Sequence, residues 1–264
     1  MADNLESLIN REKELASYQG DDRIVKSTEI QTLLMDQTDP FSFKSKLPSL
    51  DGWLEGFEAG ELVVVSGLTS QGKTTLCQTL SFNFFTQNIV SLWFSYEMTY
   101  RQFLRKLPED LFVFMPLVLK GKSIDWIRDR IHEAKLKYNI RAVFIDHLHF
   151  LVDMAKVKNP SLEIGSIVRG LKRIALDLNV TIFLIAHSTK IRFDEEPELD
   201  SIRDSSFIPQ DADVVLIVWR AKDKAGEFLN KTIVKVAKSR RTGMMGKKVV
   251  LTYEHKLYWE KAHE

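Results

Sequence analysis

Cysteine is nearly absent from this sequence. Cys77 stands alone in 264 residues, so no intrachain disulfide can form, and a reducing interior is the natural setting. Long hydrophobic runs are also missing. The longest, Leu111 to Leu119, falls far short of the roughly 20 residues that span a bilayer. The polar start Met1-Ala2-Asp3-Asn4-Leu5-Glu6 does not have the form of a signal peptide. The expectation is a soluble, intracellular protein with no membrane partner. Net charge is lacking too: 37 Lys and Arg against 36 Asp and Glu leave +1, so the total does not ask for nucleic acid. There is no internal repeat and no low-complexity tract.

What is present is a 44% hydrophobic chain, long enough for one large α/β domain with a small appendage. The charge is unevenly spread. From Arg220 to the end there are 12 Lys and Arg against 5 Asp and Glu, whereas Ile191 to Asp213 holds 8 acidic and 2 basic residues, so a local basic face is compatible with overall balance. Residues 1–47 form an N-terminal helical segment and linker. Leu5, Leu8, Ile9 and Leu15, then Ile30, Leu33 and Leu34, recur at near-helical spacing. Such short stripes bury little against themselves and need a surface, in this subunit or in a neighbouring one.

Residues 48–264 read as the main domain. Strands are predicted near 62–66, 90–95, 112–119, 142–146, 180–186 and 213–219, and helices near 73–86, 100–107, 123–138 and 162–178. This alternation calls for an α/β fold with a mostly parallel central sheet flanked by helices. The runs 231–238, 247–253 and 256–259 are short and alternating and are joined by turns, which predicts a C-terminal antiparallel extension. The acidic stretch from Asp194 to Asp200 is predicted as a loop.

The chemistry is organised around Gly67-Leu68-Thr69-Ser70-Gln71-Gly72-Lys73-Thr74-Thr75, set between the run Leu62 to Val65 and a helix-like segment. This is the G-x-x-x-x-G-K-[ST] phosphate loop in the strand-loop-helix context it requires. Its amides cradle phosphates at a helix N-terminus. Gly67, Ser70, Gln71, Gly72, Lys73, Thr74 and Thr75 are therefore the candidate contacts to ATP or another nucleoside triphosphate, with Lys73 on the phosphates and Thr74 on Mg²⁺. Arg141 to Asp146 is an apolar strand closing on a carboxylate, the arrangement that puts Asp146 beside the same Mg²⁺. Ser91 to Glu97 delivers a second carboxylate to the same sheet edge, where Glu97 is a candidate general base. Thr181 to His187 delivers His187 there as a candidate γ-phosphate sensor. His147 and His149 flank Leu148. With i, i+2 spacing and no nearby cysteine or third ligand, they read as local packing rather than zinc ligands.

Taken together, these segments resemble the RecA-type ATPase domain of DnaB-like replicative helicases, from about Leu50 to Tyr253. Leu50 to Leu62 resembles the family's entry into its first strand, Phe94-Ser95-Tyr96-Glu97-Met98-Thr99 the signature that carries its catalytic glutamate, and Phe144 to Leu148 its Walker B segment. Ile164 to Ala175 resembles the helix before its third strand, and Arg203 to Val214 its fourth motif. Lys238-Ser239-Arg240-Arg241-Thr242-Gly243 is similar to the family's Lys-x-Arg-x-Gly hairpin. That resemblance implies Arg240 as an arginine finger acting in trans, with Lys238 beside it, and Arg241 makes the register ambiguous by one residue. His187-Ser188-Thr189-Lys190 is closer to phage primase-helicases and the Twinkle-type mitochondrial helicase than to bacterial members, which have Gln there.

The resemblance implies a ring-forming, homo-hexameric ATPase that translocates on single-stranded DNA and unwinds duplex DNA in replication, with a primase or a helicase loader as further partners. It implies a cytoplasmic setting, in a bacterium or a phage-infected cell, with an organelle as the alternative. Segment 1–47 is expected to leave no room for the collar or primase domain of many relatives. The loop expected to meet DNA is acidic at Asp194, Glu195 and Glu196, and acidic groups repel phosphate. Lys156, Lys158, Arg203, Ser205 and Ser206 are the expected DNA contacts instead. Two other readings stay open: a RecA-like recombinase or recombination accessory ATPase that forms filaments, and a nucleotide-binding adaptor or loader of a larger helicase.

Overall fold

A computed structural model describes residues 2–35, 41–121, 123–152, 159–188, 196–202, 207–223 and 225–261. It divides into Met1–Phe41 and Ser42–Glu264. The first unit holds α1 (Ala2–Ala16) and α2 (Ser27–Met35). The boundary falls before β1 (Ser42–Phe43), rather than after residue 47, because β1 pairs antiparallel with β2 (Phe57–Glu58) across α3 (Pro48–Leu54).

The second unit continues with β3 (Leu62–Gly67), α4 (Lys73–Phe85), β4 (Ser91–Ser95), α5 (Tyr100–Lys106), α6 (Ile124–Tyr138), β5 (Ala142–Asp146), α7 (Pro160–Leu178), β6 (Thr181–His187) and α8 (Phe207–Asp211). It ends with β7 (Val214–Lys222), β8 (Phe228–Ser239), β9 (Lys247–Glu254) and β10 (Leu257–Glu260). Eight strands form one sheet in the order β10-β9-β8-β7-β3-β6-β5-β4. From β7 to β4 the neighbours are parallel, and β8, β9 and β10 extend the sheet antiparallel. The expected mostly parallel α/β fold with an antiparallel C-terminal extension is what the chain adopts.

The parallel strands are buried along their length, as helices on both faces require. One face packs Leu62, Val64, Phe94, Val143, Ile145, Ile182 and Leu184 against apolar residues of α6 and α7. Asn159 caps α7 by accepting the Leu162 amide, Pro160 occupies its first turn, and Asn179 ends it in the left-handed region. The other face is aromatic: Phe144 stacks between Trp93 and Phe183 at centroid distances of 4.5 and 4.7 Å, with Phe84 of α4 against Phe183. Phe144→Ala is expected to cost about 3–5 kcal/mol, read as a fall in the denaturant midpoint at constant slope.

One predicted strand does not form. Within 112–119 only Phe114 bonds to the sheet, accepting from the Trp93 amide and donating to Ser91 O at 2.8 and 2.9 Å. Pro116 has no N–H to continue a ladder on edge strand β4, and Leu117 beyond it is 91% exposed. The predicted acidic loop contains a short 3₁₀ turn at Leu199–Ser201.

Candidate active site

Strand register decides which side chains meet. Gly67 pairs with His187 across β3 and β6, and Ser95 pairs with Asp146 across β4 and β5. The Tyr96 amide then donates to Asp146 O at 2.7 Å, so the chain that carries Glu97 is tied to the end of β5. All four strands deliver their polar residues to the carboxyl edge of the sheet, where open α/β folds bind ligands.

The loop after β3 depends on two glycines. A Cβ on Gly67 would lie 2.2 Å from Val218 O, and one on Gly72, whose φ is +95°, would lie 2.1 Å from the Tyr258 hydroxyl. Lys73 is buried and turns its ammonium to Leu68 O at 2.8 Å and to His187 Nδ1 at 3.3 Å. Burial lowers the Lys73 pKa, against the opposing charges of Glu97 and Asp146. The same burial holds the Cys77 thiol protonated.

Thr74 Oγ1 donates to Asp146 Oδ2 at 2.9 Å. Asp146 is fully buried, and its Oδ1 has no hydrogen-bond partner among the described residues. Burial raises the Asp146 pKa, Thr74 and Lys73 oppose the rise, and the charge of Glu97 adds to it. A buried carboxylate oxygen left open beside a threonine hydroxyl fits a hard divalent cation with oxygen ligands, and bound charge would reverse the shift.

The strand ends open on a cavity of about 640 Å³ lined by Gln71, Lys73, Thr74, Glu97 and His187. Its far wall is Arg220 of β7 with Asn230, Lys231, Tyr253 and Tyr258 of the antiparallel extension. No motif in the sequence points to this wall, and its nearness to the phosphate loop follows from the path of β10. The Tyr258 amide donates to Thr79 of α4 at 2.9 Å, and the Arg220 amide donates to Gln71 Oε1 at 2.8 Å.

Arg240 and Lys238 are not brought to this cavity. The Arg240 amide donates to Asp213 O, and the Asp213 amide donates to Leu62 O, at the start of β3. The phosphate loop leaves the other end of that six-residue strand, about 20 Å away at 3.3 Å per residue. Arg240 Nη1 pairs with Asp213 Oδ1 at 3.0 Å, and its side chain is 51% exposed. Lys238 donates to Pro209 O and Ala212 O, each at 2.7 Å, and its pKa is lowered by burial and by Arg240. Arg241 is occupied by Glu55, Glu58 and Glu61 and by the carbonyls of Leu54 and Gly56. Of the two neighbouring arginines, Arg240 has the freer guanidinium.

Lys156, Lys158, Arg203, Ser205 and Ser206, together with Asp194 and Glu195, lie outside the described residues. Glu196 and Glu198 are described and are neutralised within the chain, Glu196 by Lys248 at 2.5 Å and Glu198 by Lys235.

Sheet order and loop geometry define a RecA-like phosphate-loop NTPase domain. The family model of the DnaB-like helicase C-terminal domain matches residues 42–111 and 116–259. The chain belongs to that family. It is 29% identical over 218 residues to the replicative DNA helicase DnaB of Rickettsia prowazekii (strain Madrid E), covering 66% of this chain and 45% of that protein. It thus spans less than half the length of this relative. Among solved structures, the ATPase domain of G40P superposes with a TM-score of 0.73 at 21% identity, covering 89% of this chain and 97% of that one. A DnaB-like replicative helicase, solved in a study of its interactions with primase, gives 0.72 at 22% identity, covering 96% and 71%. No helix among the described residues is long and apolar enough to cross a membrane.

Proposed function

We propose that this domain is the motor of an ATP-dependent replicative DNA helicase that moves along single-stranded DNA as a ring, a homo-hexamer, in the cytoplasm. The observation that carries the reading is the division of polar groups between opposite edges of one sheet. Lys73, Thr74, Asp146, Glu97 and His187 stand at one edge, and Arg240 with Lys238 stands at the other. That distance keeps Arg240 from the loop of its own chain and supports a neighbouring subunit as its site of action.

In this reading Lys73 and the loop amides hold the phosphates of ATP. Thr74 and Asp146 hold Mg²⁺, which neutralises charge on the transferring group. Glu97 orients water and takes its proton as oxygen attacks the γ-phosphorus, and the bond to the β–γ bridging oxygen breaks with its electron pair leaving on ADP. Arg240 of the adjacent subunit, with Lys238 beside it, stabilises the charge that develops. His187, bonded to Lys73, senses loss of the γ-phosphate and passes it to the loop that follows.

Lys156, Lys158, Arg203, Ser205 and Ser206 grip the DNA strand. A primase or a loader is the protein partner. The test is electron microscopy of the protein with Mg²⁺, a non-hydrolysable ATP analogue and single-stranded DNA, paired with ATP turnover with and without that DNA. Closed or lock-washer rings around DNA and DNA-stimulated turnover are the expected results. Long filaments would transfer the reading to a recombinase, and monomers indifferent to DNA would transfer it to an adaptor or loader.

A further inference from the structure

His147 follows Asp146 at the end of β5 and has no part in the chemistry above. Its ring is 7% exposed, packs on Phe150 and meets His187 edge-on at 4.2 Å between centroids. One polar atom each of Glu97, His147 and His187 lies within 4.8 Å of the other two. Three strand ends therefore converge on one small volume at the mouth of the phosphate site.

The state of the His147 ring follows from its neighbours. A ring nitrogen that accepts a hydrogen bond keeps its lone pair, which leaves the imidazole neutral with one lone pair and one N–H. The His149 amide donates to Nδ1 at 3.2 Å. That fixes the lone pair on Nδ1 and the proton on Nε2. Glu, His and His are the side chains of a zinc site, but a ligating histidine turns its second nitrogen outward as a donor. Here the sole lone pair is already engaged by a backbone amide. The spacing suits water: two hydrogen bonds of about 2.8 Å meeting at a tetrahedral angle place their far ends about 4.6 Å apart.

We propose that His147 positions the attacking water, its Nε2–H donating to the same water that Glu97 deprotonates. This rests on the assignment of Glu97 as base. The water proton passes to Glu97, the His147 proton does not move, and the bonds made and broken are those already described.

The test is steady-state ATP turnover of His147→Phe, which keeps a buried ring and removes the donor, and of His147→Gln, which restores an N–H. His147→Phe is expected to lower kcat about 10²-fold with KM for ATP unchanged. His147→Gln is expected to recover at least about a tenth of wild-type kcat. Because both groups act on one water, Glu97→Gln combined with His147→Phe is expected to be no slower than Glu97→Gln alone. Melting temperature and affinity for a non-hydrolysable ATP analogue establish that each variant folds and binds. Should His147→Phe fail to fold, His147→Ala carries the same expectations. Normal kcat in the donor-free variant, or losses that multiply in the double variant, would overturn the role of His147. Full turnover by Glu97→Gln would instead remove the assignment of the base.

Discussion

Arg240→Ala is expected to bind nucleotide as the parent protein does and to hydrolyse it about 10³–10⁵-fold more slowly, the range an arginine finger supplies in phosphoryl transfer. The split between binding and turnover follows from geometry: Arg240 stands at the amino edge of β3 and touches no residue of its own phosphate loop. Its loss leaves Asp213 with the Leu62 amide and the Lys172 ammonium at 2.8 and 2.6 Å, so the fold keeps its buried carboxylate satisfied and the melting temperature should move little. A mixing experiment separates action in trans from a general defect. Arg240→Ala subunits retain Lys73, and Lys73→Ala subunits retain Arg240, so a mixture of the two inactive variants should regain turnover wherever an intact loop meets an intact finger. Normal hydrolysis by Arg240→Ala, or a mixture as inactive as its components, would remove the assignment.

Lys73→Ala is expected to lose about 10³-fold or more of ATP turnover, because it removes the one buried ammonium at the loop from a site where charge develops out of water. This loss should not come with a loss of stability. The Lys73 ammonium is held by a carbonyl and an imidazole rather than by a close carboxylate, and burial already disfavours its charged form. A buried charge is costly unless it is paired, so removing one held by such partners is expected to be close to neutral or mildly stabilising. Melting without nucleotide should therefore stay level or rise, whereas stabilisation by added Mg²⁺ and ATP should shrink. Unimpaired turnover would contradict the role of Lys73. A large drop in melting temperature would mean that its hydrogen bonds matter to the fold more than its charge costs.

Much of this site was legible because its residues end apolar runs. Lys73, Asp146 and His187 each follow a stretch that reads as a buried strand, and in a parallel sheet strand ends share an edge, so position along the sequence translates into place. Residues 112–119 break that translation, since an apolar composition was interrupted by Pro116 at an edge where no second partner compensates. The cavity wall of Arg220, Tyr253 and Tyr258 was not legible, because antiparallel register and the return of β10 over α4 depend on pairings that no single stretch encodes. The ambiguity between Arg240 and Arg241 had the same source. Three glutamates from the chain entering β3 surround Arg241, and nothing near Arg241 in sequence announces them. The sequence reads His147 as local packing, and its ring does pack on Phe150. Its distance to Glu97 and His187 depends on the register of three strands rather than on its spacing from His149.

The placing of loop and finger at opposite ends of β3 has an arithmetic consequence. On the proposed assignment each subunit carries two half-sites that face away from each other, so an open row of n subunits contains n − 1 finished sites and a lone subunit contains none. Only closure makes the count equal to n. Turnover per subunit would then climb steeply with protein concentration and level off once rings close. A subunit leaving the ring would silence two neighbouring half-sites at once, a built-in penalty against idling in pieces.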